Sequence, residues 1–99
     1  MPTAHRTSLA NDDLVAIAFR VAQDNPAAAN TWLDTIEWKI NLLTVTPGLG
    51  RLRSELSPGI RSWVVGEYVI FYQVINDGIV VARALHGSRN LPSVFTSKL

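Results

Sequence analysis

Two apolar stripes at helical spacing meet at Asn25-Pro26 with no residues to spare between them. Upstream, Leu14, Ile17, Ala18, Val21 and Ala22 recur at three- and four-residue steps; downstream, Ala29, Trp32, Leu33, Ile36, Ile40 and Leu43 do the same. Proline disfavours helical geometry in the residue before it, so the first helix ends near Asp24. The same proline suits the first position of a new helix, with Asn25 as its cap. Two helices joined by so little chain must fold back on each other as an antiparallel hairpin. The alanines at 27, 28 and 29 would let the two axes approach near the bend.

At the far ends of the pair, Asn11-Asp12-Asp13-Leu14 reads as the start of the first helix. Asn11 is placed to cap it, and the two aspartates lie where the helix dipole favours negative charge. The second helix runs to about Val45 and stops before Pro47-Gly48. His5 to Leu9 is a plausible short strand before the first helix. Residues 47–59 hold Pro47, Gly48, Gly50, Pro58 and Gly59 and read mostly as loop.

From Ile60 onward the pattern changes to strands. Ile60 to Val65 is one, ended by Gly66-Glu67. Tyr68 to Ile75 is almost continuously apolar, as in a strand covered on both faces. Asn76-Asp77-Gly78 carries hairpin turn chemistry, and Ile79 to His86 is the last strand. Strict alternation there puts Ile79, Val81, Arg83 and Leu85 on one face, and Val80, Ala82, Ala84 and His86 on the other. The expected class is α+β, a single domain over 1–99 with an N-terminal helical hairpin packed on one face of a small antiparallel sheet.

Composition narrows the chemistry. With no cysteine among 99 residues, disulfides and thiolate sites are excluded. The two histidines lie far apart and pair with no carboxylate at ligand spacing, so neither a metal nor a cofactor is expected. No glycine loop cradles a phosphate, because Gly48-Leu49-Gly50 follows a helix instead of linking a strand to one. The N-terminus lacks the apolar core of a signal peptide, and no apolar run approaches the ~18 residues of a membrane span. A soluble intracellular protein is the expectation.

The net charge of +1 argues against generic nucleic-acid binding, but its distribution is uneven. Residues 1–50 carry three Lys/Arg against five Asp/Glu, and residues 51–99 carry six against three. Arg51, Arg53, Arg61, Arg83 and Arg89 all fall in the second half, either as contacts for an acidic partner or as a solvated face. Arg83 sits mid-strand between Val81 and Leu85, where an unpaired guanidinium is costly. Either Glu55 or Glu67 partners it, or its face opens onto a groove. His86-Gly87-Ser88-Arg89, where the last strand runs out, is the best candidate site, with a titrating imidazole beside an anion-holding arginine. The alternative is that His86 packs at the sheet edge and Arg89 pairs locally. Trp32 lies on the helix stripe and is expected in the core. Trp38 falls off it and is expected to anchor an interface. Trp63 alternates with Arg61 and Val65, as core or as contact.

Several segments in a fixed order resemble the ParE branch of the ParE/RelE toxins. They are Asn11-Asp12-Asp13-Leu14, Asp24-Asn25-Pro26-Ala27-Ala28-Ala29, Pro47-Gly48-Leu49-Gly50-Arg51, Gly59-Ile60-Arg61-Ser62, Tyr68-Val69-Ile70-Phe71-Tyr72 and Arg83-Ala84-Leu85-His86-Gly87-Ser88-Arg89. The resemblance covers about residues 6–95. It implies a toxin of a type II toxin–antitoxin pair in the bacterial cytoplasm, neutralised by a ParD-like antitoxin in a heterotetramer or larger complex. It implies DNA gyrase as the target, without direct contact to nucleic acid, and no membrane association. The RelE branch instead cleaves messenger RNA on the ribosome with basic residues and a C-terminal tyrosine. On that alternative the matching residues here are Arg61, His86 and Arg89. Phe95 stands in the tyrosine's place without a hydroxyl, and Val69 where RelE-like toxins are basic, so the catalytic set is incomplete. Antitoxin or target contacts are expected at Trp38, Arg51, Arg53, Arg61, Trp63, Arg83 and Arg89.

Overall fold

A computed structural model describes residues 1–88. Arg89 and Phe95 lie outside the described residues. Strand β1 (Thr3–Arg6) leads into helices α1 (Ser8–Asp24) and α2 (Pro26–Val45). A 3-10 turn at Pro47–Leu49 follows, then strands β2 (Arg51–Leu52), β3 (Arg61–Val65), β4 (Tyr68–Ile75) and β5 (Gly78–His86).

The junction at Asn25-Pro26 forms as the sequence predicts. The Asn25 side chain accepts hydrogen bonds from the backbone N–H groups of Ala27 (3.1 Å) and Ala28 (3.3 Å), and Pro26 is the first helical residue. The two helices pack into a common core in which Leu14 and Ile17 of α1 meet Ile36, Ile40 and Leu43 of α2. Of the three alanines after the proline, Ala29 is buried and Ala27 is exposed. Leu33, expected on the buried stripe, is exposed instead. The helix is rotated so that Trp32, not Leu33, meets the sheet, its ring edge-on to Tyr68 at 5.6 Å.

Helix α1 begins four residues before the predicted start. Thr7, not Asn11, is the cap, and its hydroxyl accepts from the Ala10 N–H at 3.0 Å. Thr7 also donates its hydroxyl to the Ala82 carbonyl (2.8 Å) and its N–H to Val81 (3.0 Å), so the cap doubles as a sheet contact. The first strand is correspondingly shifted: it ends at Arg6, and Ser8 and Leu9 belong to the helix.

Among the described residues the sheet has five strands, in the order β1-β5-β4-β3-β2. Its antiparallel core is as predicted, but β1 pairs parallel to β5, so the sheet is mixed. Gly78 admits that pairing: its φ is +133°, and a side chain there would overlap the Thr3 carbonyl. Tight turn chemistry alone is therefore not why a glycine stands at this position.

Strict alternation fails along β5. Phe71 pairs with Arg83 and Tyr72 with Val81, leaving Ala82 as an extra residue in a β-bulge. Beyond it the faces exchange. Ile79, Val81 and Ala84 face the helices, whereas Leu85 joins Leu56, Ile60 and Phe71 in a second core on the opposite face. The middle of β4 is thus covered on both sides. Ile70 and Tyr72 lie under the helices, and Phe71 lies under the 53–60 loop. At about 1.5–3 kcal/mol for each large side chain taken from water, these three do much to hold both layers to one strand.

Candidate functional site

The candidate arginines do not gather on one face. Arg61 shares a face with Trp63 and Val65 towards the helices, and its guanidinium donates to the Gly50 carbonyl at 2.7 Å. That carbonyl belongs to a small knot. Tyr72, buried in β4, donates its hydroxyl to the Pro47 carbonyl (2.6 Å) and accepts from the Gly50 N–H (2.8 Å). Loss of water around it pushes the Tyr72 phenol above its usual value of 10.0, against the Gly50 hydrogen bond and the Arg61 charge. Arg61 is thus occupied in fastening the chain between α2 and β2 to the sheet.

On the other face Arg53 donates to Glu55 (2.7 Å) and to the Ser62 hydroxyl (3.3 Å). The hydrogen bond from Arg53 holds the Glu55 carboxyl below 4.5. Arg51 makes no ion pair among the described residues and stands on edge strand β2.

Arg83 has a partner, but neither Glu55 nor Glu67. Its Nε and Nη2 donate to Asp13 of α1 at 2.7 and 3.0 Å, and Asp13 also accepts from the Ala84 N–H at 3.0 Å. Strand β1 pairs with β5 only as far as Val81. Beyond that point the edge of β5 would be unsatisfied, and the Asp13 carboxylate closes it. The groove expected as the alternative is not needed to explain Arg83.

His86 belongs to an aromatic ladder. Its ring stands edge-on to Tyr68 at 5.3 Å, which in turn meets Trp32. The Ser88 N–H donates to Nδ1 (3.1 Å), so that nitrogen carries the lone pair, and Nε2 faces Glu67 at 3.4 Å. The Ser88 hydroxyl also lies 2.8 Å from Nδ1. The Arg89 member of this constellation falls outside the described residues.

Among the described residues no group of three or more side chains is placed to hold a metal ion, and no helix is long and apolar enough to cross a membrane. Beside a small cleft of about 110 Å³ between Asp13, Arg20, Tyr68 and His86, two others open on the described residues. One, of about 870 Å³, lies between the bend of the hairpin and the β3–β4 turn, walled by Val21, Ala28, Trp32, Val65 and Tyr68. The other, about 370 Å³, lies where β2 stops, between Leu49, Arg51, Arg53, Trp63, Val64 and Val69. Trp63 packs on the core but leaves its buried indole N–H without an acceptor among the described residues. Trp38 is 61% exposed on α2, alongside Val45 at 75% and, on α1, Val15 and Phe19. The exposed apolar residues of α1 escaped the sequence reading. Their signal was a second stripe, Val15 and Phe19 four residues apart on the face opposite Leu14 and Ile17.

A helical hairpin on a mixed five-stranded sheet, with exposed apolar helix faces and scattered cations, defines a small α+β module with surface for macromolecular partners. Comparison with known proteins says which. Residues 5–91 match the family model described as the ParE toxin of the type II toxin–antitoxin system parDE. The chain is 32% identical over 94 residues to Toxin ParE3 of Caulobacter vibrioides, covering 94% of each. It is also 32% identical over 59 residues to Toxin ParE1 of Mycobacterium tuberculosis, covering 59% of this chain and 60% of that one. A solved chain from the chromosomal ParDE toxin–antitoxin system of P. aeruginosa shares the fold. Its TM-score is 0.72 at 23% identity, over 87% of this chain and 96% of that one. The chain belongs to the ParE toxin family of type II toxin–antitoxin systems.

Proposed function

We propose that this toxin works by binding: it acts on DNA gyrase in the cytoplasm, and a ParD-like antitoxin silences it in a heterotetramer or larger complex. Family membership supports a toxin with a ParD-like antitoxin partner, and the likeness to ParE toxins favours gyrase as the target. The observation that favours binding over ribonuclease chemistry is the separation of Arg61 and His86, the two candidate catalytic residues among those described. Arg61 pairs with Tyr72 and His86 with Tyr68, four residues apart along β4. They are therefore on the order of 13 Å apart along the strand direction alone. General acid–base and phosphate-stabilising groups must lie within hydrogen-bond reach of one reacting centre, about 3 Å from it. Arg61 and Arg83 are moreover held by protein acceptors.

The antitoxin's contacts run along the hairpin, with Trp38 as the anchor, and reach the sheet near Arg61 and Arg83. Trp38 suits this role because it is large, exposed and flanked by Lys39, whose ammonium sits 5.2 Å from the ring centre. The test is induction of the toxin without antitoxin, with the ends of translated messages mapped as growth stops. Growth arrest with intact messages supports a binding toxin. Cuts in translated message that vanish in Arg89→Ala would instead promote the ribonuclease.

A further inference from the structure

The sheet is left unfinished at one edge. Strand β2 pairs only Arg51 with Ser62 and Leu52 with Arg61, so among the described residues Trp63, Val64 and Val65 of β3 have no strand beside them on that side. The Arg53 N–H reaches the Ile60 carbonyl at 2.7 Å, and antiparallel ladders alternate. Ile60, Ser62 and Val64 therefore turn their backbone groups to this edge, while Arg61, Trp63 and Val65 turn theirs to β4. Val64 thus presents an N–H and a C=O to the open cleft, and its side chain is 66% exposed.

The walls of that cleft differ in character. On the face away from the helices stand Arg51, Arg53 and the aliphatic side chains of Val64 and Val69. On the helix side stands Trp63, whose indole N–H is buried without an acceptor among the described residues, and Leu49 lines the same cleft. A chain running along the edge alternates its side chains between exactly two such faces.

We propose that this edge binds an extended peptide segment of a partner protein, one that alternates acidic and apolar residues and pairs with Val64 as a further strand. Its carboxylates face Arg51 and Arg53, and its apolar residues face Leu49 and Trp63. A nucleic acid would meet the arginines but offers no peptide backbone to complete the ladder. A second copy would offer a backbone, but it would bring its own Arg51 and Arg53 to the same short ladder, where like charges repel. The proposal rests on the reading above only in taking the toxin's partners to be proteins.

Three tryptophans give three indole resonances, so the site can be watched directly in the full 15N-labelled chain. The probes are a heptapeptide alternating Asp and Val, its Lys/Val counterpart, and oligothymidylate. The Asp/Val peptide is expected to shift the Trp63 indole and the Val64 amide while leaving the indoles of Trp32 and Trp38 in place. Reversing both arginines, Arg51→Glu with Arg53→Glu, weakens that peptide at least tenfold and lets the Lys/Val peptide bind. Val64→Pro, which removes an N–H turned away from β4, weakens the Asp/Val peptide while preserving the β4 resonances. The proposal is overturned if the two peptides bind equally or not at all, if the shifts fall on the helical hairpin, if oligothymidylate competes better, or if the edge is occupied by self-association. None of these outcomes bears on whether gyrase is inhibited, so the two readings fail separately.

Discussion

The guanidinium of Arg83 and the carboxylate of Asp13 meet at 2.7 Å although 70 residues separate them in the chain. Both are mostly buried, with side chains 21% and 14% exposed. The pair joins the start of α1 to the bulged part of β5 and supplies the acceptor that the Ala84 N–H would otherwise lack. Asp13→Ala therefore leaves a guanidinium and a backbone donor uncompensated together. The expected loss is about 2–3 kcal/mol, read as a lower urea midpoint with an unchanged slope. Asp13→Asn keeps an acceptor for Ala84 and recovers part of it. The hydrogen-bonded pair with Asp13 raises the Arg83 pKa above its already high ordinary value, so its contribution is complete below that ordinary value and is lost only as pH rises through the raised one. The Asp13→Ala deficit should accordingly be the same at pH 6 and pH 9.

Tyr72 makes the opposite kind of prediction, one with an alkaline limb. Its folded pKa lies above 10.0, so folding favours the neutral phenol. The associated stability is whole below pH 10 and falls as pH climbs through the raised value. Tyr72→Phe should cost about 1–2 kcal/mol at neutral pH, because the Gly50 N–H loses its acceptor. The variant should also lose the tyrosine's share of the alkaline decline. Denaturant melts at a series of pH values between 8 and 11 would show both effects.

Much of this architecture was legible because a few residues are unambiguous. Asn25-Pro26 sets the start of α2, and Pro47 follows its end. Tyr68 to Ile75 is too apolar to be anything but a strand covered on both sides in its middle. What misled is equally specific. Asn11, Asp12 and Asp13 look like a helix start because short polar side chains suit caps, yet Thr7 takes that role and Asp13 is spent on β5. The bulge at Ala82 has no local signature, and one inserted residue reverses every side chain after it. The pairing of β1 beside β5 is set by tertiary contact, from Thr7 to Val81 and Ala82, which no short window of sequence reveals. The arginines of the candidate site were visible as residues, but their occupation by Gly50 and Asp13 was not.

Gly78 tests the parallel pairing. Gly78→Ala places a methyl group against the Thr3 carbonyl and strains a φ of +133°. A loss on the order of 1–3 kcal/mol is expected, together with faster amide exchange in β1 and the facing residues Gly78 to Val81 of β5 than in β3 and β4. Uniform destabilisation without that local effect would contradict the account of this glycine.

Trp38 separates stability from recognition. Being 61% exposed, it contributes little to the core. Trp38→Ala should leave the unfolding free energy within about 0.5 kcal/mol. Affinity for the cognate antitoxin should nevertheless fall by about tenfold or more, as expected of an aromatic anchor. Titration calorimetry of the variant against the antitoxin gives the second number.

The central claim is that this toxin acts on gyrase by occupying it rather than by cutting RNA. Titration of folded toxin into purified gyrase, with supercoiling of a relaxed plasmid as the readout, is the most direct measurement. The account predicts inhibition that rises with toxin until the gyrase is saturated, that is unchanged in His86→Ala, and that antitoxin reverses. Normal supercoiling at a large molar excess of folded toxin would contradict it.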